Sequence, residues 1–396
     1  MNTTQIVDPG IPEVIVPRRI ALPFDGVLLL AVIGICAASL VTLNYATAND
    51  IDGRPDYYVT RQAIYFVVGL LLAAGVARID YSRLRELKYG LFAVLISSIL
   101  LVSAVGQVAK GARRAIDFSF FSFQASELGK VLVILALSAF VVDRIRRINE
   151  RDTTARVMLT GLVPAALVMA QPDLGSALVY VAVTVAVLFV AGTSWRHFAG
   201  LAALGAVAIA FVLVAAPSVG VNVLRDYQKD RLTAFLHPAD TSNKQGYQQN
   251  QSKIAIGAGQ KTGRGEQATQ TKLDFLPEHH TDFIFAVVGE RYGFVGGALI
   301  LSLYSLVIWR GLRILTLAKN LFGALVAGGI VAMMMFQVFV NVGMNIGIAP
   351  ITGIPLPLMS YGGSSVITTL LAMGLLQSIY AQGRAAAARK GRVLTY

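Results

Sequence analysis

The stretch FLPEHHTDFIFAVVGERYGFVGG, residues 275–297, places a carboxylate where an apolar helix begins. A proline and two histidines precede Asp282, and the residues after it are apolar enough to enter a membrane. A carboxylate at that junction is costly to keep unless it has a function. The structural alternative is that Asp282 caps the helix. The local sequence leaves both interpretations open.

Small residues recur at helical spacing along the helix that follows, at Ala286, Gly289, Gly293 and Gly297. Small side chains on one helix face allow a neighbouring helix to come close. Because Asp282 begins this stripe, we predict that it faces protein or a cavity rather than lipid.

The composition of the whole chain predicts a multi-pass membrane protein. Its 396 residues are 55% hydrophobic and 14% charged, with a mean hydropathy of +0.64, whereas soluble domains carry about 25% charged residues. The net charge of +12 does not indicate nucleic-acid binding, because most basic residues stand at the ends of apolar runs, as topology signals do. A single cysteine, Cys36, excludes disulfide and Cys-metal frameworks.

Apolar runs recur along the chain, and a helix needs roughly 17–25 residues to cross a bilayer. They predict an all-α polytopic membrane protein with about ten transmembrane helices and one long extracytoplasmic loop. The predicted segments are Phe24–Ala46, Gln62–Ala77, Tyr89–Val108, Ser126–Val142, Val157–Met169, Leu174–Gly192, Phe198–Pro217, Phe283–Trp309, Asn320–Ile346 and Ser364–Gln382.

Lysine and arginine cluster in alternate connections, and this bias predicts that those connections are cytoplasmic. An even number of helices then puts both termini inside, with a cytoplasmic tail over residues 1–22, a transmembrane domain over 23–383 and a second cytoplasmic tail over 384–396. We expect no cleavable signal peptide, because the first 20 residues are polar and rich in proline. The long outer loop, residues 218–281, lies between helices 7 and 8. It includes VLRDYQKDRLTAFLHP (223–238), which we expect to lie along the membrane surface.

Four polar motifs fall on the predicted outer side, and the first is KGARRAIDFSFFSFQASELGK, residues 110–130. Its basic patch of Lys110, Arg113 and Arg114 suits either lipid headgroups or a diphosphate, since arginine forks match phosphate oxygens. Glu127 and Lys130 are three residues apart and therefore share a helix face. Ionisable residues inside a membrane helix usually have a function.

The other three motifs are QPDLGS (171–176), GYQQNQSKIAIGAGQKTGRG (246–265) and NIGIAPITGIPLPLMSYGGSS (345–365). In the first, Asp173 is interpreted as a helix N-cap rather than a catalyst. The second lacks the spacing of a phosphate loop, and its QSKIAIG core is interpreted as a short re-entrant helix. Three prolines in the third forbid regular helix, and irregular backbone at membrane depth must be buried or line a water-filled cavity.

Taken together, these motifs resemble the SEDS family (shape, elongation, division and sporulation) of membrane peptidoglycan glycosyltransferases. The resemblance runs from Phe24 to Gly383, with FSFQASELGK, QPDLGS, QSKIAIG, FLPEHHTDFIFAVVGE and GIPLPLMSYGGSS in the family's order. QSKIAIG and TKLDFLPEHHTDFIF are more similar to the elongation (RodA-type) branch than to the division (FtsW-type) branch. The chain departs from the family at Ala115, where tryptophan is common, and at Ala125, where proline is common.

The resemblance implies that the substrate is lipid II, a disaccharide-pentapeptide on a polyprenyl diphosphate, and that the product is a β-1,4 glycan strand. It implies a class B penicillin-binding protein as partner within the elongation or division machinery, and Asp282 as the essential carboxylate. It also implies a bacterial cytoplasmic membrane location with the active site on the outer face, and no organic cofactor. The predicted substrate-binding residues are Lys110, Arg113, Arg114, Glu127, Lys130, Gln251, Ser252, Lys253, Ser360 and Ser364.

The chemistry of such a transfer suits these residues. The donor sugar is α-linked and the product is β-linked, so the configuration inverts. Inversion needs a base to take the proton of the attacking hydroxyl, and a carboxylate can serve as that base. The basic patch, with Mg²⁺ or Mn²⁺ as a candidate cofactor, would stabilise the departing diphosphate. Lys130 is expected to lie opposite Asp282 and keep it ionised, with Glu127 moderating that attraction.

Two competing functions suit the same topology. A lipid II flippase would need a polar path from the inner face, whereas the charged motifs cluster on the outer side. A non-catalytic scaffold for the penicillin-binding protein would make Asp282 dispensable.

Overall fold

The computed structural model describes residues 24–393, apart from 49, 52–53, 110–111, 119, 212–217, 219–230, 232–234, 236–243 and 269–274. The predictions for the tail at 1–22, for the last three residues, for Lys110 and for most of segment 223–238 therefore lie outside the described residues.

Eleven α-helices are present in the described part of the chain, and each of the ten predicted segments overlaps one of them. Eight of these helices are long and apolar enough to cross a membrane, which confirms the all-α polytopic class. The helices are α1 (Gly26–Ala46), α2 (Tyr57–Arg78), α3 (Lys88–Val105), α4 (Ala125–Asp143), α5 (Arg151–Ala170), α6 (Leu174–Val190), α7 (Trp195–Ala210), α8 (Lys244–Gly259), α9 (Ile284–Leu317), α10 (Leu321–Ile346) and α11 (Gly363–Val393).

Side-chain caps fix where several helices begin. The Asp25 carboxylate accepts from the Leu28 backbone N–H at 3.0 Å and starts α1. The Asn320 side chain accepts from Gly323 N–H at 2.9 Å and starts α10. Helix α10 ends at Ile346 and is followed by Gly347, whose φ of 87° is a left-handed conformation that glycine adopts without strain.

The centre of the bundle is formed by α4, α10 and α11. In the most apolar stretch of each of these helices, 83%, 72% and 72% of the residues are buried, compared with 17% for α3. Helix α3 therefore leaves most of its surface to lipid. Helix α11 packs against α2, where a Cβ on Gly374 would lie 2.6 Å from the Ala73 carbonyl oxygen. Glycine is therefore required for this close backbone approach.

A small antiparallel sheet stands between α3 and α4. Its strands are β1 (Gln107–Ala109), β2 (Ala112–Phe118) and β3 (Phe121–Phe123), in the order β1-β2-β3. Helix α3 ends at Val105, three residues before the predicted end, because Gly106 leaves helical geometry and leads into β1. The sheet carries the predicted basic motif.

The two ends of the bundle differ in their chemistry. At the end where α1 begins and α9 ends, Arg310 Nε donates to Asp25 Oδ2 at 2.9 Å and Lys319 Nζ donates to Asp80 at 3.0 Å. We call the opposite end the site end, because chain connectivity brings the sheet, the 171–173 turn, α8, and the segments 275–283 and 347–362 there. All four polar motifs therefore meet at one end.

Candidate active site

A polar cavity of about 700 Å³ opens at the site end. Its wall includes four of the predicted site residues, namely Arg114, Glu127, Asp282 and Ser364. Other residues of the wall are Arg61, Asp117, Gln124, Asp173, Arg231, Gln248, Glu278 and Tyr361. The wall combines carboxylates, guanidinium groups and amides, so it suits a charged, hydrogen-bonding ligand.

Asp282 lines this cavity and does not cap the helix. Helix α9 begins at Ile284, and its N-cap residue is Phe283, so the capping interpretation of Asp282 is wrong. The prediction that Asp282 faces protein or a cavity is confirmed.

Two asparagines of α10 hold the main chain of Asp282. Its carbonyl oxygen accepts from Asn341 Nδ2 at 2.9 Å and from Asn345 Nδ2 at 3.2 Å. Asn341 Nδ2 also donates to the Ile354 carbonyl at 2.8 Å. Both asparagines are fully buried, so these bonds lock the 275–283 and 347–362 segments to one helix.

Ser360 and Ser364, two of the three predicted serines, both form hydrogen bonds to backbone groups, in different places. Ser360 is buried, and its hydroxyl donates to the Thr281 carbonyl at 2.6 Å and accepts from Leu356 N–H at 2.9 Å. It supports the segment next to Asp282 without lining the cavity. Ser364 lines the cavity, and its hydroxyl donates to the Ser122 carbonyl at 2.6 Å, which joins α11 to β3.

Gly353 brings a basic residue close to Asp282. A Cβ at Gly353 would lie 3.6 Å from both Arg231 Nη2 and Asp282 Oδ2, and the φ of Gly353 is +76°. Arg231 Nη1 also donates to the Thr352 carbonyl at 2.9 Å. The sequence pattern missed Arg231, because it belongs to the segment that was assigned to the membrane surface.

Two further arginines stand in the wall. Arg114 Nε donates to the Gln171 carbonyl at 3.2 Å, and its Nη2 donates to the Pro172 carbonyl. Arg61, which sequence reasoning also missed, lies over the Tyr57 ring at 4.3 Å. Arg113 pairs with Val108 across the β1–β2 ladder.

Glu127 and Lys130 form a buried ion pair, with 2.6 Å between Glu127 Oε1 and Lys130 Nζ. Glu127 lines the cavity, whereas Lys130 lies one helical turn below it and is 1% exposed. The expected salt bridge between Lys130 and Asp282 is not formed. The reason is geometric, because the i,i+3 spacing on α4 already holds Glu127 against the ammonium group.

Asp173 is the N-cap of α6, as the sequence predicted. Its Oδ1 accepts from Ser176 N–H at 3.0 Å. Its Oδ2 accepts from Ser126 Oγ at 2.9 Å and from Gln124 Nε2 at 3.0 Å. Asp173 therefore joins the starts of α4 and α6 at the cavity wall.

Helix α8 extends the predicted re-entrant segment to sixteen residues. Gln251 and Lys253 line a separate surface depression, and the Ser252 hydroxyl donates to the Asn345 carbonyl at 2.9 Å. These three predicted residues are thus outside the cavity wall. Gln248, one turn earlier, lines it instead.

The stripe of small residues on α9 packs against the end of α8. A Cβ on Gly259 would lie 1.8 Å from the Gly289 carbonyl oxygen. Helix α9 kinks at Gly293, where φ is 63°, and Phe294 N–H donates to the Gln260 carbonyl at 2.9 Å. The prediction that this stripe faces protein is confirmed.

The wall fits a cation that is shared with a substrate rather than an all-protein metal site. Among the described residues, one cluster of three metal-ligating side chains is found, and it lies outside the wall. Mg²⁺ is usually held by one or two carboxylates together with substrate phosphates. Asp282 is a carboxylate that could take part in such binding.

Fold and cavity together define a multi-pass membrane protein with a charged pocket at one end of its helix bundle. The FtsW/RodA/SpoVE family model, described as a cell cycle protein, matches residues 21–385. The chain belongs to this family.

Relatives and solved structures agree with that assignment. The chain is 36% identical to the peptidoglycan glycosyltransferase MrdB of Escherichia coli K12, over 90% of this chain and 93% of the relative. It is similar to a chain in a structure described as "Structural coordination of polymerization and crosslinking by a peptidoglycan synthase complex", with a TM-score of 0.77, 32% identity, and coverage of 91% and 99%. It is also similar to the Thermus thermophilus rod shape determining protein RodA, with a TM-score of 0.65, 30% identity, and coverage of 92% and 98%.

Proposed function

We propose that this chain is a peptidoglycan glycosyltransferase that polymerises lipid II into β-1,4 glycan strands, with inversion at the donor sugar. One observation carries the proposal: the Asp282 side chain lines a charged cavity between membrane helices, beside the guanidinium of Arg231. The relative MrdB is named a peptidoglycan glycosyltransferase, which supports the same reaction.

Asp282 acts as the general base in this proposal. The acceptor 4-hydroxyl oxygen attacks C1 of the donor sugar from the face opposite the diphosphate. Its proton passes to the Asp282 carboxylate, and the C1–O bond breaks so that the diphosphate leaves with the electron pair. A positioned base typically contributes about 10²–10⁴-fold to the rate.

The arginines of the wall would bind the diphosphate. Arg61, Arg114 and Arg231 line one cavity with Asp282, and guanidinium forks match phosphate oxygens. Mg²⁺ or Mn²⁺, where bound, would supply further positive charge to the leaving group. Asp282 would be its candidate protein ligand.

The distribution of charge supports an outward-facing site. Basic residues are frequent at the end opposite the cavity, for example Arg78, Arg144 and Arg310, and such residues favour the cytoplasmic side. We therefore place both termini in the cytoplasm and the cavity at the outer face of a bacterial cytoplasmic membrane.

The proposed partner is a class B penicillin-binding protein that crosslinks the peptides of the new strand. A similar chain occurs in a structure described as coordinating polymerisation and crosslinking in a peptidoglycan synthase complex. Similarity to RodA supports a role in cell-wall elongation and cell shape, with an FtsW-like role in division as the alternative.

A lipid II flippase is the competing function. It would need charged or polar groups along a path through the bundle, whereas the charged wall residues gather at the site end. At the opposite end, the Asp25 carboxylate is 1% exposed and is paired with Arg310. This arrangement favours a one-sided reaction over transport.

The test is strand synthesis by the purified protein with its cognate penicillin-binding protein and labelled lipid II, with products separated on a gel. Asp282→Asn should abolish polymerisation while the protein still folds and inserts. Asp152→Asn is the matched control, because Asp152 is an exposed partner of Arg156 on α5. Synthesis by the Asp282 variant at the control's rate would refute the base assignment.

A further inference from the structure

Two histidines and a carboxylate meet just behind the cavity wall. His279 and His280 belong to the segment that leads into Asp282, and Asp50 follows α1 in the connection to α2. One ligand atom from each of the three side chains lies within 4.8 Å of the others. None of the three lines the cavity.

The hydrogen bonds of His279 define which of its nitrogens faces Asp50. His279 Nδ1 lies 3.0 Å from the Leu276 carbonyl oxygen, which can only accept, so Nδ1 carries the proton. His279 Nε2 lies 3.2 Å from both carboxylate oxygens of Asp50. If the imidazole were neutral, the lone pair of Nε2 would face the Asp50 carboxylate, so a positive species belongs between them.

That positive species is either a proton or a metal ion, and His280 favours the metal. His280 Nδ1 approaches the same carboxylate at 3.6 Å, which is too long for a hydrogen bond. If a proton sat on each ring, two imidazolium groups with centroids 5.3 Å apart would share one carboxylate. One cation bound by both nitrogens would contact all three groups at once.

The distances from the two imidazole nitrogens to Asp50 fit a tetrahedral zinc site. Bonds of about 2.0–2.1 Å from Zn²⁺ to nitrogen or oxygen set neighbouring ligand atoms about 3.3–3.4 Å apart. The observed distances of 3.2 and 3.6 Å from the imidazole nitrogens to Asp50 bracket that value. A donor set of two imidazoles and one carboxylate suits Zn²⁺ better than Mg²⁺ or Ca²⁺, which prefer oxygen ligands.

The surroundings hold these ligands in place. The His279 side chain is 5% exposed, and its ring is oriented by the Leu276 carbonyl, as outer partners orient metal-bound histidines. The centroid of the His280 ring lies 4.7 Å from that of the Tyr58 ring. The backbone carbonyl of His280 accepts from Tyr361 N–H at 2.9 Å.

We propose that Asp50, His279 and His280 bind a divalent transition-metal ion of the Zn²⁺ type, with water as the fourth ligand. The ion joins the α1–α2 connection to the segment that carries Asp282. Its role is positional, because its ligands do not reach the cavity. The proposal does not depend on the reaction that Asp282 performs.

The test measures metal binding by the full-length protein, purified in detergent through an affinity tag without histidine. After treatment with a chelator, the protein is titrated with Zn²⁺, and the bound metal per chain is measured by mass spectrometry of the elements. Co²⁺ is added to a second sample, since its visible absorption reports coordination by nitrogen and oxygen. Mg²⁺ serves as the competitor.

We expect one Zn²⁺ per chain in the wild type, not displaced by excess Mg²⁺, and a rise in apparent Tm when Zn²⁺ is added. His280→Ala should weaken binding by more than the roughly 10–100-fold typical for loss of an outer partner. Asp50→Asn, which keeps the shape of the side chain, should do the same and should remove the Co²⁺ absorption. His197→Ala is the control, because His197 contacts Thr154 at the opposite end of the bundle.

The proposal would be overturned if the wild type bound no zinc, if excess Mg²⁺ displaced the zinc, or if the Asp50→Asn variant bound zinc as tightly as the wild type. In that case the three side chains would be held by their hydrogen bonds alone, and the apparent Tm would not respond to zinc. Strand synthesis is not used as the readout, so failure of the proposed enzymatic function would leave this result unchanged.

Discussion

Breaking the Glu127–Lys130 pair by single substitutions should destabilise the protein unequally. In Glu127→Gln the Lys130 ammonium, whose side chain is 2% exposed, loses its carboxylate beneath the cavity. Removing one partner of a buried pair typically costs about 3–5 kcal/mol. In Lys130→Met the remaining carboxylate is 5% exposed and lines the cavity, so water reaches it more readily than the Lys130 ammonium and the loss should be smaller.

The magnitude can be followed as an apparent Tm in detergent. At about 2 °C per kcal/mol for a large domain, Glu127→Gln should lower the apparent Tm by about 6–10 °C. The double variant, with Glu127→Gln and Lys130→Met, removes both charges and should recover most of that loss, because no buried charge is left alone. The apparent Tm of all three proteins is measured from the loss of the monodisperse peak in size-exclusion chromatography after heating.

The control is an exposed pair on a neighbouring helix. Arg156 and Asp152 are 3.0 Å apart with side chains 59% and 69% exposed, and pairs of that kind contribute about 0.2–1 kcal/mol. Arg156→Met should therefore shift the apparent Tm by about 2 °C or less. If the two single effects at Glu127 and Lys130 simply add in the double variant, the two charges do not depend on each other and the reasoning is refuted.

Three further substitutions examine the cavity wall and its support. Gly353→Ala should reduce strand synthesis, because its φ of +76° costs a non-glycine residue roughly 1–2 kcal/mol and its new methyl would contact both Arg231 and Asp282; activity equal to wild type would contradict this. Asn341→Leu should lower both the apparent Tm and strand synthesis, since the amide donates to the carbonyls of Asp282 and Ile354, and an unchanged Tm would show that these bonds are dispensable. Arg114→Lys should raise the lipid II concentration needed for half-maximal synthesis, because lysine cannot make both guanidinium bonds that hold Arg114 in the wall against the Gln171 and Pro172 carbonyls. The effect should grow at higher salt, which screens the remaining attraction to a diphosphate, and a wild-type profile at every salt concentration would count against a diphosphate contact.

The order and approximate positions of the helices in the described part of the chain were readable from the sequence, because long apolar runs separated by charge have few other physical solutions. The number of spans was not, since eight of the described helices are long and apolar enough to cross a membrane and about ten were predicted. The stripe from Ala286 to Gly297 likewise announced a close helix contact, since small residues at that spacing leave room for a backbone. The sheet was missed because its strands have three to seven residues, too short for a periodic pattern to stand out.

The cavity wall was predictable only in part. Asp282 was found because a charge at the edge of an apolar run stands out, while Arg231 belongs to an amphipathic segment whose basic residues equally suit a lipid surface. The partner of Lys130 depended on which group its side chain reached first. The i,i+3 spacing favoured Glu127 as the partner of Lys130, whereas the family resemblance favoured Asp282. In the structure Lys130 pairs with Glu127.

The anchoring of Asp282 through its carbonyl oxygen has a consequence for repeated turnover. If Asp282 takes up a proton in every catalytic cycle, its carboxylate changes charge each time, and any bond made by that group must weaken and recover. The two bonds from Asn341 and Asn345 end on the peptide carbonyl instead, which does not titrate. The segment can therefore stay in register while its side chain alternates between charged and neutral, so a processive enzyme would not need to rebuild its active site after each sugar is added.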